Sequence, residues 1–226
     1  WAVDRLRDFG VDVRHVRVGE TLTAHAIVMV DEAGENQIVI YPGANMEQDE
    51  RSIAAALENA ASGDWLMLQN ETSLQMEAAK LARKKGLSVA YSAAPFDVQA
   101  VEAILPFATL VIMNEVEAQQ YAAESERSIE ELPVSYALVT KGKDGATWHD
   151  LDASEASQVP AFQVSPVDTT GAGDTFAGYA VAGLAQGLPV DIALKQASAA
   201  AALSTTKKGT ADAIPTLAAV KAMLGS

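Results

Sequence analysis

Apolar positions along the chain fall into short blocks whose spacing switches between two residues and three to four. Residues 1–9 place Val3, Leu6 and Phe9 at helical spacing and stop at Gly10. Segments 23–30 (TAHAIVMV) and 37–41 (QIVIY) read as strands. The run Asp31-Glu32-Ala33-Gly34-Glu35-Asn36 between them is turn chemistry, so the pair is expected to form a hairpin. After Pro42-Gly43-Ala44-Asn45 the pattern changes. Helices are expected over 51–61, 74–85, 98–105 and 115–121, and apolar strands over 65–69, 87–91, 110–113 and 136–140.

Short apolar strands alternating with helices point to a parallel sheet covered on both faces. Two further β-like runs follow, 146–149 and 161–164. The final third is helical over 173–186, 190–205 and 216–224, and its many alanines favour helix and close packing. No internal repeat, low-complexity tract or long linker interrupts the chain. One α/β domain over residues 1–226 is expected, with the hairpin 23–41 projecting from it.

Composition narrows the function classes. The 226 residues are 49% hydrophobic and 20% charged, a folding composition with enough chain for a core. Thirty acidic against sixteen basic residues give a net charge of −14, which repels phosphate backbones and argues against a general nucleic-acid binder. A small anion in a local positive site is still allowed. Without cysteine there are no disulfides or thiolate metal sites. His15, His25 and His149 are scattered and form no metal-binding spacing. No apolar run approaches the roughly 20 residues that span a bilayer. With no signal segment before the first strand, a cytoplasmic location is expected, and the sequon Asn70-Glu71-Thr72 reads as accidental.

The informative segment is Val167-Asp168-Thr169-Thr170-Gly171-Ala172-Gly173-Asp174-Thr175-Phe176, which opens a long helix. Gly171, Ala172 and Gly173 carry little or no side chain, so their backbone N–H groups can approach a ligand closely. A helix N-terminus leaves such donors unpaired and adds a positive dipole end. Together they make an anion site that suits a phosphate in transfer. Asp174 stands beside it and could accept a proton from an attacking hydroxyl. Phosphoryl transfer needs positioning and charge stabilisation more than a strong base. An aspartate in a first turn is also an ordinary dipole partner. The loop is neither a Walker A motif nor a Rossmann fingerprint, because no GxxxxGK[ST] occurs and the third glycine is missing.

This string resembles the C-terminal signature of the ribokinase, or PfkB-type carbohydrate kinase, family. The resemblance continues along almost the whole chain. Tyr41-Pro42-Gly43-Ala44-Asn45 resembles the segment after the lid hairpin, and Leu68-Gln69-Asn70-Glu71 the strand end reading Gln-x-Glu. Asn114-Glu115-Val116-Glu117 is similar to the family's N-x-x-E, Val139-Thr140-Lys141-Gly142 to its nucleotide-side strand end, and Lys208-Gly209 to its late KG element. The hairpin, G-A-N and Q-x-E look most like the ribokinase branch.

The resemblance implies a three-layer αβα fold with a mainly parallel central sheet and a partial β lid. It implies an ATP-dependent kinase of a sugar hydroxyl, with ribose the first choice and ribose 5-phosphate the product. Fructose, 2-keto-3-deoxygluconate or a nucleoside are the alternative acceptors, and a non-catalytic nucleotide- or sugar-binding protein the alternative class. Asp174 would be the base and a substrate contact, and Gly171, Ala172 and Gly173 the anion hole. Asn114 and Glu117 would act through water on Mg²⁺ and the ATP phosphates, although Asn at N-cap with Glu at N3 is equally a capping box. Thr140, Gly142 and Lys143 would lie along ATP, or simply form a strand-to-hairpin turn. Glu71 would hold the sugar, or be a solvated loop acid.

A monovalent cation, K⁺, is implied at Asp168 and Thr170 with backbone oxygens near Ser204, Lys207 and Gly209. Ala213 stands where the family often has Ser, which removes one side-chain ligand. Two departures stand out. The family's N-terminal region, about a quarter of a typical member, has no counterpart here. It carries the first substrate-binding Asp, the sugar motif and half of the lid, so these 226 residues alone are expected to phosphorylate sugar poorly. The stretch from Asn114 to Thr140 is also short for the family, so its usual helix is either a turn or absent. A homodimer through lid strands is expected, because an apolar hairpin projecting alone would leave unpaired edges.

Overall fold

The computed structural model describes residues 1–30 and 36–225. Residues 31–35, where the sequence places the hairpin turn, lie outside the described residues. Helix α1 (Ala2–Asp8) opens the chain, followed by the antiparallel pair β1 (His25–Val30) and β2 (Asn36–Tyr41). The main body then alternates α2 (Glu50–Ala56), β3 (Trp65–Gln69), α3 (Gln75–Lys84), β4 (Ser88–Ser92), α4 (Val98–Ile104), β5 (Leu110–Asn114), α5 (Glu115–Ser125) and β6 (Tyr136–Thr140). Strands β7 (Ala146–Asp150) and β8 (Glu155–Val159) and helices α6 (Ala172–Ala185), α7 (Val190–Ser204) and α8 (Leu217–Leu224) complete it.

The six strands β3 to β8 form one sheet in sequence order. The first four are parallel, and β7 and β8 add antiparallel at the far side. Side-chain parity sorts the core into two layers. Val89, Tyr91, Val111, Met113, Ala137 and Val139 face α3, α4 and α5. Their neighbours Ala90, Leu110, Ile112 and Leu138 face α6 and α7. Both faces are covered, which is why these strands read as continuous apolar runs. Leu138 is fully buried, and its truncation to Ala should cost about 2–5 kcal/mol.

Small residues set the helix layer. Helices α6 and α7 bury Ala177, Ala180, Ala193, Ala197, Ala199 and Ala200. At Gly183 an added Cβ would lie 2.8 Å from the Ala193 Cβ, so this spacing admits no side chain. Helix α8 packs Val220 against Ala199 and Ala200 of α7. Among the described residues, no helix is long and apolar enough to cross a membrane.

Three expectations are corrected. The last strand is Glu155–Val159, not 161–164. It is an edge strand exposed at its first four residues, so it carries no apolar run. Residues 161–164 supply Phe162 to the α7–α8 cluster instead, and so satisfy their hydrophobicity by packing. Helix α2 stops at Ala56, five residues early. Helix α5 runs to Ser125, and a single 3-10 turn, Ile129–Glu131, fills the short segment before β6.

The N-terminal segment lies on the surface. Helix α1 buries no residue and is tied to the body by the Arg5–Asp212 ion pair. Arg17 reaches Asp49 and the Glu47 carbonyl. In the hairpin, Ile27, Met29, Val39 and Ile40 are exposed. Gly43 follows it with φ +46, and a Cβ there would come within 2.3 Å of the Leu22 carbonyl oxygen. Only glycine fits that crossing.

Candidate active site

Asn114 and Thr140 end β5 and β6, and Glu71 follows β3, at carboxyl strand ends of the kind where open α/β sheets bind ligands. In the sheet register, Asn114 is paired with Thr140 at the ends of β5 and β6. Asn114 caps α5: its Oδ1 accepts the Glu117 N–H at 2.8 Å, and Glu117 Oε2 accepts the Asn114 N–H at 2.7 Å. The capping box is therefore real. It occupies one oxygen of Glu117 and leaves Oε1 uncommitted among the described residues. Beyond Thr140 the chain makes the 3-10 turn Gly142–Asp144, with Gly142 at φ +54 and Lys143 exposed. The turn reading is correct there, and the turn also projects Lys143 beside the strand end.

Helix α6 begins at Gly171, whose φ of +75 is left-handed. This backbone state turns the incoming loop onto the helix axis, and glycine adopts it without strain. Ala172 donates its N–H to the Thr169 carbonyl at 3.2 Å. The N–H groups of Gly171, Gly173 and Asp174 donate to no protein acceptor among the described residues. They are open donors at the positive end of a 14-residue helix.

Asp174 is exposed in the first turn of α6 and has no ion pair among the described residues. Its Oδ1 accepts a hydrogen bond of 2.8 Å from Gln69 Nε2, at the end of β3. Sequence reasoning quoted Gln69 only as part of Gln-x-Glu and gave it no role. The signal was its parity: Trp65 and Met67 face α6, so Gln69 does too.

Two residues beyond, Glu71 lies exposed in the loop after β3. It lines a cavity of about 540 Å³ with His25, Ile40, Pro42, Asn45, Asn70 and Pro95. The cavity lies between the hairpin and the ends of β3 and β4. Asp174 does not line it; the link between the two is Gln69. The loop is fixed by Asn70, which donates to the Pro95 carbonyl at 2.9 Å, and by Gln75, which donates to Asn70 and the Thr72 carbonyl.

Hydrogen bonds tie the loop carrying Asp168 and Thr170 to Gly209 and to the end of α7. Asp168 Oδ1 accepts the Thr170 N–H at 3.0 Å, and Oδ2 accepts the Gly209 N–H at 3.1 Å. These bonds, from Thr170 first and Gly209 next, hold the Asp168 carboxyl below the usual carboxylate range. The Thr205 carbonyl receives the N–H groups of Val167 and Asp168, stitching the loop to the end of α7. The Ser204 hydroxyl is turned into its helix and donates to the Ala201 carbonyl. Backbone carbonyls of Thr170, Lys207 and Gly209 accept no hydrogen bond among the described residues. A hard cation wants oxygen ligands, and this donor set fits one. Among the described residues no cluster of three His, Asp or Glu could hold a metal alone.

A sheet covered by helices on both faces, with open N–H donors and an exposed carboxylate at one helix N-terminus, suits phosphoryl transfer. Residues 2–217 match the model of the pfkB family carbohydrate kinases, and the chain belongs to that family, whose members are ATP-dependent carbohydrate kinases. It is 32% identical to the ribokinase of Haemophilus influenzae over 220 residues, covering 92% of this chain and 71% of that protein. It is 28% identical to the deoxyribokinase of Salmonella typhi over 228 residues, covering 95% and 74%. Among solved structures, Thermotoga maritima ribokinase matches with a TM-score of 0.83 at 28% identity, over 100% of this chain and 76% of that one. Arabidopsis thaliana ribokinase complexed with ribose and ATP matches at 0.79 and 28%, over 95% and 73%.

Proposed function

We propose that this sugar kinase transfers the γ-phosphoryl group of ATP to the primary hydroxyl of D-ribose, giving ribose 5-phosphate and ADP. The observation that carries the reading is Asp174: an unpaired carboxylate at a helix N-terminus, beside free backbone donors and linked to the strand end bearing Glu71. The site residues take these roles by proposal. Glu71 holds the acceptor in its cavity. Asp174 removes the hydroxyl proton as the oxygen bonds to the γ-phosphorus and the bond to the ADP oxygen breaks. The N–H groups of Gly171 and Gly173 receive the charge on the transferring phosphoryl group, and Ala172 joins them if its bond to Thr169 opens. Asn114, Thr140, Gly142 and Lys143 flank the nucleotide.

Mg²⁺, when bound, would spread the phosphate charge. Asn114 and Glu117 would hold it through water. K⁺ would sit at Asp168 and Thr170 with the carbonyls of Ser204, Lys207 and Gly209. Residues 1–226 belong to one kinase domain, with the hairpin 23–41 forming part of its lid. The exposed Ile27, Met29, Val39 and Ile40 support pairing of two such lids in a homodimer.

Ribose is favoured over deoxyribose because ribokinases predominate among the relatives of higher identity. The test is an acceptor panel of D-ribose, deoxyribose, fructose, 2-keto-3-deoxygluconate and inosine with ATP, read by ADP release. Phosphorus NMR of the product identifies the modified hydroxyl. The highest kcat/KM on ribose with a 5-phosphate product supports the proposal. A higher kcat/KM on another acceptor replaces ribose and leaves the kinase standing.

A further inference from the structure

From the 2.8 Å hydrogen bond between Gln69 Nε2 and Asp174 Oδ1 we infer that Gln69 positions the catalytic base and couples it to the acceptor loop. The inference rests on the reading of Asp174 as that base. Gln69 is the last residue of β3, paired with Ser92 of β4. Its carbonyl accepts the Glu71 N–H at 2.9 Å, and the next residue donates its N–H to the Ala94 carbonyl. The backbone is thus fixed on both sides. With Trp65 and Met67 facing α6, strand parity aims the Gln69 side chain at the start of that helix.

The chemistry of the donor matters. A carboxylate on an exposed first turn rotates about its side-chain bonds unless something holds it. One amide N–H on Oδ1 fixes the rotamer and leaves Oδ2 to take the hydroxyl proton. The donor is a neutral amide, so it orients the base without placing a charge against it. No other side chain hydrogen-bonds or ion-pairs with Asp174 among the described residues, so the polar contact that orients it is Gln69. The same strand end leads directly into Glu71, so the base and the acceptor contact share one rigid anchor.

The test compares Gln69→Leu, Gln69→Glu and Asp174→Asn in the full-length protein, using ADP release with the best acceptor of the panel across pH. Gln69→Leu keeps an apolar stem at the strand end and removes the donor. It should lower kcat about tenfold to a hundredfold, with the KM for ATP within about twofold of the parent. Gln69→Glu places a second carboxylate against Asp174. Its acid limb should move up by about one pH unit or more, with rate recovered at higher pH. A purely structural role would not move that limb. Parent-like kcat and pH profile in both variants, with Asp174→Asn inactive, overturns the positioning role alone. A drop in melting temperature with an unmoved limb in Gln69→Glu also overturns it. Full activity of Asp174→Asn overturns the base reading and this inference with it.

Discussion

Asp168 and Gly209, 41 residues apart, are joined directly: Asp168 Oδ2 accepts the Gly209 N–H at 3.1 Å. The same carboxylate holds the Thr170 N–H with its other oxygen. One side chain therefore clamps the loop before α6 to the loop after α7. Asp168→Asn keeps the Oδ1 acceptor and loses the second. We expect the K⁺ concentration for half-maximal activity to rise about tenfold or more, with the KM for acceptor little changed. A titration of ADP release against KCl checks this. Because hydrogen bonds depress its pKa, the charged clamp is present above the usual value of 3.8 and lost only as pH falls below it. The effect should therefore be constant across the neutral range.

One substitution separates the observed helix cap at Glu117 from the ion contact proposed for it. Gln at this position can still accept the Asn114 N–H, so the capping box survives. Glu117→Gln should leave the melting temperature nearly unchanged and raise the Mg²⁺ requirement severalfold. Asn114→Ala removes the cap and should cost about 1 kcal/mol of stability. Thermal melts and Mg²⁺ titrations of the two variants distinguish cap from ion contact.

Gly171→Ala meets no steric block, because the nearest heavy atom to an added Cβ is 3.6 Å away. Its cost comes from φ +75 alone, about 1–2 kcal/mol. The same strain would tilt the first N–H groups of α6. We expect a small fall in melting temperature and a larger fall in kcat, measured side by side.

Tyr91 gives a pH test of the core. Its ring is fully buried, its hydroxyl has no partner among the described residues, and burial, with Asp97 nearby, pushes its pKa up to about 12. The folded state then holds a proton that the unfolded chain releases near pH 10. Stability is complete below pH 10 and falls as pH rises towards 12. Tyr91→Phe should match or exceed the parent at pH 8 and show a weaker alkaline decline. Denaturant melts from pH 8 to 11.5 test both.

Much of this was legible in the sequence, and the limits are physical. Strands 65–69 and 136–140 are legible to the residue because apolar side chains on both faces pack against helices, partly buried in the first and buried at 137–139 in the second. Strand β8 was missed because Glu155, Ala156, Ser157 and Gln158 are exposed at an edge and leave no such run. The start of α6 is legible because Gly171, Ala172 and Gly173 are small and leave its N–H groups accessible. Gln69 was quoted and passed over, since its partner lies 105 residues away and only the packing of α6 over β3 brings them together. The capping box of Asn114 and Glu117 fits both readings that the sequence offered, because one oxygen serves the helix and the other is open.

Asp174, at the start of α6, is the residue proposed to drive transfer from ATP to a sugar hydroxyl. The most direct measurement is ADP release by the full-length protein and by Asp174→Ala, with ATP, Mg²⁺ and K⁺, with and without D-ribose. The account predicts a large ribose-dependent rate in the parent. It predicts a loss of about a hundredfold or more in the variant, with ATP affinity nearly intact. An equal ribose-dependent rate in both proteins would contradict it.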